Sequence, residues 1–317
     1  MRRTVIILSC LLMASGAASR AAYACSTCTI GQLGKEGAVT SAESQDKKWY
    51  FEYLFEQQNW DKMDARDAHN LHHAGHHFHD KTIEDMHHFK MGGHVTEDLN
   101  VFVDFPYVVR RSLEVDDHDI LGSKQESKGL GDLHLIGDHR FWHDDAQALS
   151  AIAGIKFPSG STEEKNSAGT LFEPELQPGT GSYDYILGGA YKVQGDRASA
   201  VANTSYVWTT RGEQEFEAGD VFTLSLAADY LVNPQARYFK TRAGIDAVFQ
   251  NEQKQQEDGV ETDDSGGQTL LSGPIIKVEG NPNLGLSGSL LFPVYQHLGG
   301  VHQELDLTWT LAGELKF

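Results

Sequence analysis

The chain has 317 residues, with 26 Lys and Arg against 45 Asp and Glu and a formal net charge of -19. That balance excludes a nucleic-acid binder, which needs a basic face. No stretch is apolar for the roughly 18 residues that a helical membrane span requires, so the class is a β protein, either soluble and exported or rolled into a membrane barrel.

Arg2 and Arg3 precede a short apolar run from Val5 to Met13, and Ala22-Tyr23-Ala24 forms a small-x-small cleavage site. These are the parts of a secretory signal peptide, expected over 1–24. Its loss removes three arginines and no acid, taking the net charge to -22. The next segment, 25–47, opens on Cys25-Ser26-Thr27-Cys28 and reads as a periplasmic N-terminal tether or lumen plug. Two residues between the thiols allow a disulfide, a redox pair or half of a metal site. A lipidated Cys25 is a further alternative, although Ala22 stands where lipoprotein signals carry Leu. Thr29 in place of His excludes the haem-attachment pattern.

From residue 48 onward the pattern has period two. Strands are predicted over 48–59, 82–94, 98–112, 129–143, 147–158, 181–193, 198–211, 216–231, 236–251, 267–279, 283–295 and 302–317. Side chains of a strand alternate faces. In the last strand Leu305, Leu307, Trp309, Leu311, Gly313, Leu315 and Phe317 share one face, and Glu304, Asp306, Thr308, Thr310, Glu314 and Lys316 the other. That run exceeds the ~9–11 residues that cross a bilayer. Its terminal aromatic resembles the recognition signal of bacterial outer-membrane barrels, which implies the barrel-assembly machinery as a partner.

The connectors near 95–97, 144–146, 194–197, 232–235 and 280–282 are tight, whereas those near 60–81, 113–128, 159–180 and 252–266 are long and polar. Short periplasmic turns, longer external loops and an even strand number are the marks of outer-membrane barrels. The expected fold is therefore all-β: a transmembrane antiparallel up-and-down β-barrel of about twelve strands over 48–317. It would lie in a Gram-negative outer membrane, in contact with its lipid and lipopolysaccharide, with both termini periplasmic. Trp49, Tyr50, Trp142, Tyr183, Trp208, Tyr230, Tyr238 and Tyr295 are placed to form interfacial girdles. The lumen is expected to be lined by Asp132, His134, Asp138, Arg140, Lys240, Arg242, Asp246, Glu304 and Asp306.

A histidine-rich tract follows the first strand. His69, His72, His73, His76, His77, His79, His87 and His88 form a candidate set for zinc, copper or nickel, ions that accept imidazole. The spacing of four in His72/His76 and His73/His77 would place each pair on one face of a helical turn. The alternative is a solvated loop that charges in acid. Either a metal-handling or a redox protein of the periplasm is a candidate partner. The external acids Glu114, Asp116, Asp117 and Asp119, and Glu257, Asp258, Glu261, Asp263 and Asp264, read as solvated loop charge or, alternatively, as groups that attract divalent cations near the lipopolysaccharide surface.

Two central stretches carry a family resemblance. Gly129-Leu130-Gly131-Asp132-Leu133 is followed by Gly154-Ile155-Lys156-Phe157-Pro158-Ser159-Gly160, and then by Pro178-Gly179-Thr180-Gly181-Ser182-Tyr183-Asp184. Together they resemble the outer-membrane transporter family named for the MetA (meta-cleavage) pathway of phenol degradation. The resemblance is specific over 129–193, with Pro-Ser-Gly at 158–160 where the family pattern has Pro-Thr-Gly. It implies a transport barrel for a small hydrophobic or aromatic solute. No Ser lies at a Gly-flanked elbow, and neither His139 nor His143 has a Ser two residues away, so a porin-like conduit is expected and an enzyme is not.

Overall fold

A computed structural model describes residues 49–60, 78–115, 123–281, 283–300 and 303–317. The strands are β1 (Trp49–Trp60), β2 (Phe78–His94), β3 (Leu99–Val115), β4 (Ser123–Leu130), β5 (Leu133–His143), β6 (Gln147–Phe157), β7 (Asp184–Gln194) and β8 (Ala198–Trp208). They continue with β9 (Phe216–Glu217), β10 (Val221–Leu231), β11 (Lys240–Glu252), β12 (Gln256–Glu257), β13 (Val260–Glu261), β14 (Gly267–Asn281), β15 (Leu284–Leu298) and β16 (Leu305–Lys316). All pairings are antiparallel; β1 pairs with β16, which brings the two ends of the sheet's chain order together, and β2 pairs with β3 as well as with β1, which completes the ring. Since β4 and β5 are two halves of one crossing, the sheet is a closed twelve-stranded barrel. Closure pairs the crossings on both sides, the condition for crossing hydrocarbon, while the β4 half pairs with β3 alone.

Alternation sorts the faces. Phe51, Phe89, Met91, Phe105, Leu187, Leu226, Ile245, Ile276, Leu286, Leu311 and Leu315 point outward and are exposed. Glu52, Glu56, Glu84, Asp104, Lys156, Asp229, Arg242 and Thr308 point inward and are buried. Trp49, Trp142, Tyr230 and Tyr238 ring the tight-turn end, and Tyr183, Trp208 and Tyr295 the other, all exposed. Tyr50 departs from that girdle: it turns inward, and its hydroxyl accepts a bond from Asn100 Nδ2 at 3.2 Å. One sector of the interior is apolar, where Trp60, Val248, Leu271, Leu291 and Leu305 pack together across β1, β11, β14, β15 and β16.

The tight turns are closed by side chains that mimic backbone. Asp144 Oδ1 accepts the N–H of Ala146 at 2.8 Å and of Gln147 at 2.9 Å. Asn233 Oδ1 accepts Thr241 N–H at 2.6 Å while its Nδ2 donates to Phe239 O at 2.8 Å. That second closure holds 232–239 as a turn, so β11 starts at Lys240 and not near 236. At the opposite end β2, β3 and β4 run past their expected limits, and β9, β12 and β13 form a small separate sheet between loops.

Candidate functional site

The site forms where β4 breaks from β5. Asp104 of β3 faces His134 and Tyr107 faces Leu130, so the facing strand has one extra residue between these pairs. This bulge at Gly131–Asp132 is tied by Gly131 N–H to Pro106 O at 2.9 Å. It turns the Asp132 carboxylate toward the loop that joins β6 to β7. Asp132 accepts the Gly160 N–H at 2.9 Å, the Thr180 N–H at 2.8 Å and the Thr180 hydroxyl at 2.7 Å.

Lys156, near the end of β6 and 4% exposed at its side chain, stands between two acids. Its Nζ is 3.4 Å from Asp132 Oδ2 and is ion-paired with Asp184. It also donates to Thr180 Oγ1 at 2.5 Å and Ser182 Oγ at 3.1 Å. Asp184 in turn accepts Ser182 Oγ–H at 2.9 Å and Thr210 N–H at 3.0 Å. The backbones meet so closely that a Cβ at Gly179 would lie 2.6 Å from the Gly160 Cα, and one at Gly160 would lie 2.7 Å from the Gly131 carbonyl carbon. Three sequence motifs thus converge on one knot that fixes both ends of the 158–183 loop.

The middle of that loop is held against the inner wall. Arg110 of β3 faces inward, 2.5 Å from Glu84 Oε2 through Nε. Its Nη1 donates to the carbonyls of Glu175 at 3.0 Å and Gln177 at 2.6 Å. Ser127 of β4 donates to Leu176 O at 2.6 Å. The segment is a 3-10 turn, Pro174–Leu176, with Phe172 and Leu176 buried beneath it. Gln177 braces it from inside, accepting Glu164 N–H at 2.9 Å and donating to Phe172 O at 3.0 Å. Gln214 of the next loop donates to the same carbonyl at 3.3 Å. A loop expected to be merely long and polar is therefore a built element that narrows the barrel at its long-loop end.

Burial pushes the Glu175 carboxyl up to about 8, aided by the neighbouring charges of Glu173 and Glu257 and opposed by Arg110. Glu257, on β12, is raised for the same reasons: partial burial, then Glu173 and Asp258. A group with a raised pKa in the docked state favours docking most below its free value, here 4.5, and loses that contribution as pH climbs through about 8. Docking of the 158–183 loop should therefore weaken between pH 4.5 and 8. Single-channel recordings should show loop-open events becoming more frequent across that range, and Glu175→Gln should flatten the profile. A variant that keeps the full wild-type slope would remove Glu175 from this role.

The expected lumen residues fall into distinct places. His134 faces inward, its Nδ1 3.7 Å from Asp104 Oδ2, which also lies 2.8 Å from His88 Nδ1. Asp138 faces inward and is partly buried. Arg140 bonds back to the turn below it, to Asp98 Oδ1 at 3.2 Å and Glu97 O at 2.9 Å. Arg242 is buried and donates to Asp229 Oδ1 at 2.7 Å, while Lys277 donates to Asp229 Oδ2 at 2.9 Å. Asp246 is buried, whereas Lys240, at the first position of β11, is exposed. Glu304 and Asp306 are exposed, beside a register shift at Asn59/Trp60 that turns Leu305 into the apolar sector. Glu84, Arg110 and Lys277 were not singled out in the sequence, and Lys156 stood there only within a family motif; their signal was a charge at an inward position of a strand.

The histidines divide. His69, His72, His73, His76 and His77 lie outside the described residues, as do Cys25, Cys28 and the whole of 1–47; for His79 only its backbone place in β2 is described. His87 and His88 are consecutive in β2 and point to opposite faces, His87 outward with Nδ1 2.8 Å from the Tyr53 hydroxyl, His88 inward to Asp104. One ion therefore cannot be held by both. Among the described residues no three His, Cys, Asp or Glu side chains are arranged to hold a metal ion.

Comparison with known proteins agrees with the geometry. The model of the family described as "Putative MetA-pathway of phenol degradation" matches residues 91–296. No curated protein matches the sequence. Among solved structures, an outer-membrane channel from Pseudomonas putida F1 is similar at a TM-score of 0.59 and 16% identity, covering 87% of this chain and 100% of that one. The β domain of the Bordetella autotransporter BrkA is similar at 0.51 and 8% identity, covering 86% of this chain and 100% of that one. At these identities the likeness is one of fold.

Proposed function

The chain belongs to that phenol-degradation family, and from this premise we propose that it is a passive outer-membrane channel for a small, apolar or aromatic solute. The observation that carries the reading is the loop 158–183, fixed at both ends by Asp132, Lys156 and Asp184 and held across its middle by Arg110. A barrel of about twelve strands lies between those filled by side chains and those open as wide pores. An inward loop then sets the aperture. The interior supports a solute with two kinds of surface: ion-paired polar groups on β2, β3 and β5–β7, and the apolar sector around Trp60 and Leu291.

The test is permeation. Proteoliposomes should swell in isosmotic benzoate faster than in an aliphatic carboxylate of equal size, and both faster than protein-free liposomes. Equal rates for the two acids would remove the aromatic preference. Absence of both swelling and conductance steps, in wild type and in loop-release variants alike, would remove the channel.

A further inference from the structure

The outward face of β2, β3 and β4 departs from the apolar rule at its long-loop end. Strand register fixes the rows. Lys81, Leu113 and Lys124 lie side by side; next come Ile83, Arg111 and Glu126; then Asp85, Val109 and Lys128. Below these come His87, Tyr107 and Leu130, with His87 Nδ1 2.8 Å from the Tyr53 hydroxyl, and then the aromatic row of Phe89 and Phe105. Four cations thus stand on three adjacent strands within three rows, against the acids Asp85 and Glu126.

The acids are engaged by only part of the set. Arg111 is ion-paired with Asp85 through Nη2 and lies 3.9 Å from Glu126 Oε2 through Nε, and Lys128 Nζ is 2.8 Å from Glu126 Oε1. Lys81 and Lys124 are exposed and have no acidic partner among the described residues. Adjacent strands lie about 4.8 Å apart, so the patch is on the order of 10–15 Å across. Cations on the lipid face are costly at mid-membrane and nearly free of cost at the interface, so the patch belongs at headgroup level. An excess of cations directly above an apolar wall complements one kind of molecule: an anionic headgroup whose acyl chains run down Phe89 and Phe105.

We propose that this face is a binding site for the phosphorylated disaccharide of lipid A, with the phosphates on Lys81, Lys124, Lys128 and Arg111 and the acyl chains on the rows beneath. Arg111, oriented by Asp85 on Nη2 and Glu126 on the Nε side, adds a guanidinium charge beside the lysines. The proposal rests on the reading of the long-loop end as external, because only the outer leaflet supplies lipid A.

The experiment uses the full chain in detergent micelles, with bis-phosphorylated lipid A, its dephosphorylated form and phosphatidylglycerol as probes. Native mass spectrometry should retain bis-phosphorylated lipid A on the wild type, at least tenfold more than either of the other two. Lys81→Gln/Lys124→Gln/Lys128→Gln should lose most of that retention while single-channel conductance is unchanged. Lys81→Arg/Lys124→Arg should keep it. Equal retention of the three lipids by the wild type, or retention by the triple Gln variant equal to wild type, would overturn the site. Because the lipid comparison is made on the unmodified protein, it stands even where a variant fails to fold. Conductance is read separately, so loss of the lipid site and loss of the channel are distinguishable.

Discussion

Lys156→Met is expected to lower the temperature at which the folded barrel is lost and to raise conductance in the same protein. The methionine fills much of the same volume but leaves Asp132 and Asp184 facing each other, both buried, without a cation. Removing one partner of a buried ion network costs about 3–5 kcal/mol. Asp132 keeps donors on both oxygens, from Gly160 and Thr180, whereas those of Asp184, Ser182 and Thr210, both fall on Oδ1, so the greater strain falls on Asp184 and the end of the loop near Ser182. Heat-modifiability on semi-native gels reads the first effect and planar-bilayer recording the second. Lys156→Met/Asp184→Asn should recover part of the stability, since the second change removes one of the stranded charges, and the cycle isolates the pair. Unchanged melting and unchanged conductance in Lys156→Met would show that the knot is not what holds the loop.

The knot was half legible in the sequence. The motifs at 129–133, 154–160 and 178–184 stand out as turn and strand-start chemistry, and their glycines signal close backbone approach. What periodicity could not give was their convergence, because the contact between Asp132 and Thr180 spans 48 positions. The twelve crossings were readable because each has an apolar row facing outward. β4 was hidden for the same reason in reverse: Lys124, Glu126 and Lys128 on one face and Gln125 and Ser127 on the other leave no apolar row to detect. The bulge at Gly131–Asp132 hides in a run that reads as one strand. At the last strand, alternation placed Leu305 outward with Leu307; a local register shift beside Trp60 puts it in the interior apolar sector. The histidine tract stands out by composition, but composition does not tell which residues meet, and in β2 strand geometry alone separates His87 from His88.

Arg110 offers a way to separate holding the loop from holding the barrel. Arg110→Met alone should destabilise, because Glu84, fully buried, loses the guanidinium 2.5 Å away. Arg110→Met/Glu84→Met removes both charges together, and replacing a whole buried ion pair by apolar groups of similar volume is often neutral or stabilising. The double variant should therefore melt close to wild type. It nevertheless lacks the donor for the carbonyls of Glu175 and Gln177, each hydrogen bond to a charged group being worth about 1.5–3 kcal/mol. Its loop should leave the wall, and conductance should rise without loss of the fold. With the loop already free, Glu175 returns to solvent and its carboxyl to the ordinary range, so the pH dependence expected between 4.5 and 8 should vanish in the double variant. A double variant with wild-type conductance and an intact pH profile would mean that Ser127 and the Asp132 knot hold the loop unaided, and that the aperture is set without Arg110.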